Sequence, residues 1–255
     1  MDRRLYRFLQ ALVLAGLGIF LTVKYLSGSL SWYINQRYMP LTIIAILGLI
    51  GMALTAVFSA SINPHTHDHG EEDHEHESHD DHPERVQSAW GIVFIFIPLI
   101  IGLIIPAKPL SASAVSNRGL SAGAPLSAGG SKQANPNQPS TERTVLDWIK
   151  LFNYQTDLSP YLGQNADVIG FVYHDTRLPA GHFMVSRFAI TCCVADAFAI
   201  GMVVQPATAD AIADNTWIDV KGPVQSINVD GHQVPLIVSG IVTPVQAPQQ
   251  PYLFP

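Results

Sequence analysis

The chain has 255 residues, 48% of them hydrophobic and only 13% charged, with a net charge of −6 and ten histidines. That balance is unusual for a purely soluble protein, and the absence of a basic stripe excludes a nucleic-acid surface. The length allows one or two domains.

Three charge-poor runs stand out in the first half. Phe8 to Val23 carries no charge; the second run lies between Arg37 and His65 with its apolar centre from Met39 to Ala60; the third lies between Arg85 and Lys108, centred on Ala89 to Ile105. A bilayer core about 30 Å thick needs roughly 20 helical residues, so each run predicts a transmembrane helix. Tyr25, Tyr38 and Trp90 sit at run ends, where aromatic rings favour the headgroup layer. Arg3, Arg4 and Arg7 ahead of the first run also fit a secretory signal. The small-residue cleavage pattern is poor, with only Ser27 and Ser29 suitably spaced, so an uncleaved helix is the reading adopted. Basic residues near the membrane tie at four on each side. The arginine-rich start tips the N-terminus toward the cytoplasm, leaving the C-terminal half extracytoplasmic.

Between the second and third runs lies HTHDHGEEDHEHESHDDH, residues 65–82, with seven histidines and eight carboxylates. Neutral imidazole is a common metal ligand, and carboxylates can complete a tetrahedral shell. His65, His67, His69, His74, His76, His79 and His82 therefore predict weak, exchangeable binding of a divalent metal, zinc foremost. Nickel, copper and cobalt are not separated from it by affinity order alone. The alternative is a solvated anionic connector. No rigid geometry of the kind catalysis requires is implied.

Residues 109–140 are mostly Ser, Ala, Gly, Pro and Asn, which predicts a flexible linker. The chain thus divides into a membrane region (1–108), the linker, and a globular domain (141–255). That last part is acidic, with five basic and ten acidic side chains. A helix is expected over 141–152, capped by Thr141 or Thr144, with Val145, Trp148, Ile149 and Phe152 on one face. Strands are expected over 166–174, 182–191, 201–205, 216–222 and 235–243, with a short helix over 206–215 and a hairpin turn at Asp230–Gly231. Five short strands with a helix between the third and fourth fit an OB-like β-barrel, making the whole an α+β membrane protein. A β-meander or a small sandwich would give much the same pattern.

The two cysteines fall at the end of the second strand. Strict alternation would put Cys192 on the apolar face with Phe188 and Ile190, and Cys193 on the other with Arg187 and Thr191. Cys192 then reads as a small core residue. Cys193, near Arg187 and three residues before Asp196, is a candidate thiolate. Cys192, Cys193 and Asp196 form a possible second metal site, which His174 and His182 would join only if the fold brings them close.

Several segments resemble the YcgQ-like family of bacterial membrane proteins. They are GFVYHD (170–175), RFAITCCVADAFAIGMVV (187–204), WIDVKG (217–222) and PLIVSGIVTPVQAPQQPYLF (235–254), together with the leading helices and the histidine-rich stretch. The resemblance implies an accessory subunit of a two-component permease whose partner is a YcgR-like multi-spanning protein, and, by inference, a role in divalent-metal supply. It implies no established enzymatic activity, and no organic cofactor is expected. Arg187, Cys193, Ala195 and Asp196 match the family's RF…C-x-AD core, and histidine can stand in relatives where this chain has Cys192.

The expectation is therefore a multi-pass inner-membrane protein carrying a metal-collecting loop and a tethered barrel. No charge lies centrally in any of the three runs, as an ion path of its own would require. Gly16, Gly18, Gly48 and Gly51 would allow close helix approach. The competing readings are a membrane-anchored binding module without a metal role, and a thiol-dependent redox protein using Cys193.

Overall fold

The computed structural model describes residues 3–62, 96–97, 100–105, 108–118, 135–208 and 212–255. The chain forms two units, one comprising residues 1–30 and 37–107 and the other residues 31–36 and 108–255.

The first unit is a helical hairpin. Helix α1 spans Arg3–Leu26 and helix α2 spans Met39–Ile62. Both contain stretches long and apolar enough to cross a membrane, Leu5–Leu26 and Gln36–Phe58. Most of their large side chains point away from protein, among them Phe8, Leu12 and Ile19 on α1 and Leu41, Ile44, Leu47 and Phe58 on α2. In water such a surface would be costly; in lipid it is the solvated face. The helices approach closely at Gly18, where an added Cβ would lie 3.2 Å from Cγ1 of Ile50. Gly48 and Gly51 instead face open space. Of the third run, residues 100–104 are helical, and Gly102 lies against the Phe20 ring. Two full-length apolar helices are thus shown rather than the expected three, because most of residues 89–105 is not described. The seven histidines of residues 65–82 lie outside the described residues.

The second unit is a closed barrel of five mixed strands, plus one short strand. Its strands are β1 (Asn165–Tyr173), β2 (Phe183–Ala189), β3 (Phe198–Pro206), β4 (Trp217–Val229), β5 (His232–Pro244) and β6 (Tyr252–Leu253). They lie in the order β1-β4-β5-β3-β2-β6, and β1 also pairs with β2 to close the ring. The β3–β5 and β2–β6 pairs are parallel; the rest are antiparallel. Closure requires a tight crossing at Gly170, where a Cβ would lie 2.6 Å from the carbonyl oxygen of Ser186. Helix packing supplies the core. Helix α4 (Val145–Tyr154), the fourth in chain order after α3 (Ala112–Arg118), opens with a capping box in which Thr144 and Asp147 satisfy each other's backbone N–H groups. Val145, Trp148, Ile149 and Phe152 bury one helical face against Val168, Val185, Ile200, Met202 and Ile237 of the barrel.

Three differences from the sequence expectations have physical causes. The helix expected over 206–215 is absent among the described residues there, where Pro206 is still the last residue of β3 and residues 212–216 form turn and coil. The barrel's buried helix lies ahead of β1 instead. Strand β4 is nearly twice the expected length, because Gly222–Pro223 does not end it. A bulge between Lys221 and Val224 carries the chain through, with Pro223 still opposite Asn165 of β1. Finally, part of the expected linker belongs to the domain. In α3, Val115 is fully buried and Ala112 nearly so, the Ala112 N–H donates to Asn215 Oδ1 at 2.6 Å, and the Leu110 N–H donates to the Tyr252 hydroxyl. Small alanines and one valine are enough to pack a short helix onto a sheet, though their composition looks like a linker. The Asp230–Gly231 turn is as expected, both residues adopting positive φ, which a two-residue hairpin of this hand needs.

Candidate functional site

Strand β2 ends at Ala189. Ile190 continues into the core, its N–H donating to the Leu253 carbonyl, and the next residues leave the sheet. This is why strict alternation fails for the cysteines. Phe188 and Ile190 do share a buried cluster, but Cys192 is exposed and is not a core residue. A short 3-10 turn over Val194–Asp196 then folds the chain back on itself.

Asp196 organises that turn. Its Oδ1 accepts the Thr191 N–H at 3.0 Å, and its Oδ2 accepts the Cys192 N–H at 2.7 Å and the Cys193 N–H at 3.5 Å. With the backbone wrapped around one carboxylate, the two side chains are forced to the same side, and their sulfurs lie 3.7 Å apart. Among the described residues, Cys192, Cys193 and Asp196 alone bring three metal-ligating atoms together, all within 4.8 Å of one another. His174 and His182 do not join them. His174 pairs with Asp214 at 2.7 Å, and His182 contacts the Ala180 carbonyl.

The electrostatics hold the Cys192 thiol in its protonated form. A hydrogen bond to Asp196 and one to Cys193 push the Cys192 thiol up to about 11. Burial opposes ionisation of Asp196, but the hydrogen bonds from the Cys192 thiol and from the turn's backbone outweigh it, so its carboxyl is held below the usual range. Arg187, expected as an activating cation, is spent elsewhere. It is buried, stacks on Trp217, and donates through Nε to the Pro251 carbonyl, through Nη1 to Ile169 and through Nη2 to Gln250. Desolvation lowers it to about 10. Its task is to fasten the C-terminal tail beside β2.

The turn has a second boundary that sequence reading missed. Residues 31–36, the connection between α1 and α2, belong to this unit. Ile34 bridges Cys193 as an added antiparallel pair, the Val194 N–H donates to Tyr33, and the Asn35 N–H donates to Cys192. The Asn35 side chain donates to the Thr191 carbonyl at 2.9 Å. Trp32 packs with the Phe188, Ile190 and Tyr252 cluster, and Gln36 bonds Gln250. Nothing local in SWYINQ marks it as a strand partner for a segment more than 150 residues away.

One unit is an apolar helical hairpin; the other is an acidic five-stranded barrel that includes residues 31–36 and carries the paired-thiol turn. Two models of one family cover the chain: the DUF1980 N-terminal domain matches residues 9–121 and the DUF1980 C-terminal domain residues 141–255. The chain belongs to this YcgQ-like family. It is 27% identical to the UPF0703 protein YcgQ of Bacillus subtilis (strain 168), over 95% of this chain and 98% of that one. A Streptococcus mutans protein whose name proposes it as a subunit of a two-component membrane permease complex is 24% identical, over 95% and 97% of the two chains. No solved structure matches the chain.

Proposed function

We propose that the protein is the accessory subunit of a two-component membrane permease, working beside a multi-spanning YcgR-like partner in divalent-metal handling, zinc foremost. The observation that carries the permease reading is the match, over nearly the whole of both chains, to the streptococcal relative named for such a complex. The two apolar helices support it, as do Gly48 and Gly51, which leave room for a neighbouring helix on α2. The reading assigns the protein no enzymatic reaction.

The metal reading rests on ligand chemistry. His65, His67, His69, His74, His76, His79 and His82 offer loose, exchangeable sites. Cys192, Cys193 and Asp196 offer two sulfurs and one oxygen, with Cys192 open to solvent, so a bound ion would keep a free position for exchange.

The apolar run 89–105 is long enough for one more membrane crossing, in addition to the two apolar helices. With three crossings, the histidine-rich stretch and the C-terminal domain occupy opposite faces.

Purification from native membranes in mild detergent tests the proposal. A multi-spanning protein should co-purify with the chain, and zinc should be recovered with it. Recovery of the chain alone, or of a soluble partner independent of metal, would contradict the permease reading. Deleting residues 65–82 should remove most weak zinc uptake in equilibrium dialysis while membrane insertion persists.

A further inference from the structure

We propose that the connection between the two membrane helices is a working part of the thiol site, with Asn35 as its positioning residue, so that metal binding at Cys192, Cys193 and Asp196 and docking of this connection reinforce each other. The proposal rests on the metal reading above and adds the coupling to it.

The geometry is specific. The turn from Thr191 to Asp196 is held from inside by the Asp196 carboxylate and from outside by residues 33–35. The outer clamp consists of the Asn35 N–H on the Cys192 carbonyl, the Asn35 Nδ2 on the Thr191 carbonyl at 2.9 Å, and the Val194 N–H on the Tyr33 carbonyl at 2.8 Å. These bonds fall on both sides of the paired thiols. If the connection withdraws, Thr191, Cys192 and Val194 lose one anchoring bond each, and the 3.7 Å sulfur spacing is no longer imposed from outside.

The chemistry is balanced by protons. A divalent ion entering the site displaces one proton from each thiol to solvent. The Cys192 S–H bond to Asp196 is exchanged for sulfur–metal and oxygen–metal bonds. Fixing the sulfurs also fixes the carbonyls that Asn35 grips, so ion binding strengthens the clamp. By linkage the docked clamp strengthens ion binding by the same factor. Partners of metal ligands that lie one shell out are worth roughly 10–100-fold in affinity, which sets the scale expected for Asn35.

The test uses the full chain in detergent, with cobalt(II) as the probe. Sulfur-to-cobalt charge-transfer absorption reports thiolate ligation. Wild type should show the band, and Asn35→Ala should bind cobalt about tenfold more weakly, at the lower end of that range. Gln36→Ala, which removes a bond from the same connection to Gln250 and none to the turn, should weaken cobalt binding in the same direction but by less than Asn35→Ala. Hydrogen exchange on the wild-type chain guards against a folding defect in the variant: zinc should slow the Asn35 and Val194 amides. Equal cobalt affinity in Asn35→Ala and wild type, or zinc-independent exchange at these amides, would overturn the coupling while leaving the metal site intact. Absence of a sulfur-to-cobalt band in wild type would overturn both.

Discussion

The hairpin and the barrel use apolar side chains in opposite ways. On α1 and α2 the large residues Phe8, Ile19, Leu47 and Phe58 are exposed, and the inter-helix contact is made where Gly18 lets Ile50 approach. In the barrel the same residue types are buried, and every residue of β2 is enclosed. The difference teaches where each region's stability comes from. The hairpin needs an apolar solvent and close backbone contact; the barrel makes its own apolar interior, where a buried charge such as Arg187 is held by hydrogen-bond partners.

The largest effect should follow from Arg187→Ala, which attacks the barrel's dependence on polar satisfaction. The carbonyls of Pro251, Gln250 and Ile169 lose a charged donor, at a cost of about 3–5 kcal/mol. Denaturant unfolding of the chain would read this, with the tail around Tyr252 released first. A loss under about 1 kcal/mol would mean that water replaces the guanidinium readily.

Gly170→Ala should cost less, about 1–3 kcal/mol, because a backbone carbonyl rather than a flexible side chain blocks the new Cβ. Gly18→Leu sharpens the contrast from the other side. It should separate α1 from α2, measured as lost cross-linking between cysteines placed on the two helices, and leave barrel unfolding unchanged. Thr144→Ala removes half of the capping box and should cost about 1 kcal/mol.

The smallest change in stability, but a clear one in reactivity, is expected from Asp196→Asn. The Cys192 thiol is raised in the folded chain, so its protonated form is favoured. That preference adds stability below the ordinary thiol range and is lost as pH rises toward about 11. Asp196 contributes in the opposite sense: its lowered carboxyl stabilises the fold above the usual carboxylate range and ceases to do so as pH falls through its folded value. With asparagine at 196, alkylation of Cys192 at pH 8 should be at least several-fold faster than in wild type. An unchanged rate would remove Asp196 from the account of the thiol.

How much could be read from sequence follows from the range of the interactions involved. The apolar runs of α1 and α2, the Val145–Phe152 face, the Thr144 cap and the Asp230–Gly231 turn are local patterns, and each appears where expected. Longer-range features were not legible. Pro223 looks like a strand breaker, but a bulge across from β5 absorbs it. Ala112–Arg118 looks like linker until Asn215 and Tyr252 are brought beside it. The grouping of Cys192, Cys193 and Asp196 was readable from spacing, whereas the direction of the sulfurs was not, because it depends on the strand ending at Ala189. Asn35 carried no signal at all. Its partner lies on another element, and only the folded chain brings the two together.

The placement of the C-terminal domain and the histidine-rich stretch on opposite membrane faces has one direct test. In a background with both native cysteines replaced by serine, one variant carries Ala180→Cys on the barrel surface and a second carries Ser78→Cys within the histidine-rich stretch. Intact cells are treated with a membrane-impermeant maleimide, and permeabilised cells serve as the control. Labelling of only one of the two sites in intact cells, with both labelled after permeabilisation, is the predicted result. Labelling of both in intact cells, or of neither, would place the two segments on the same face and contradict the account.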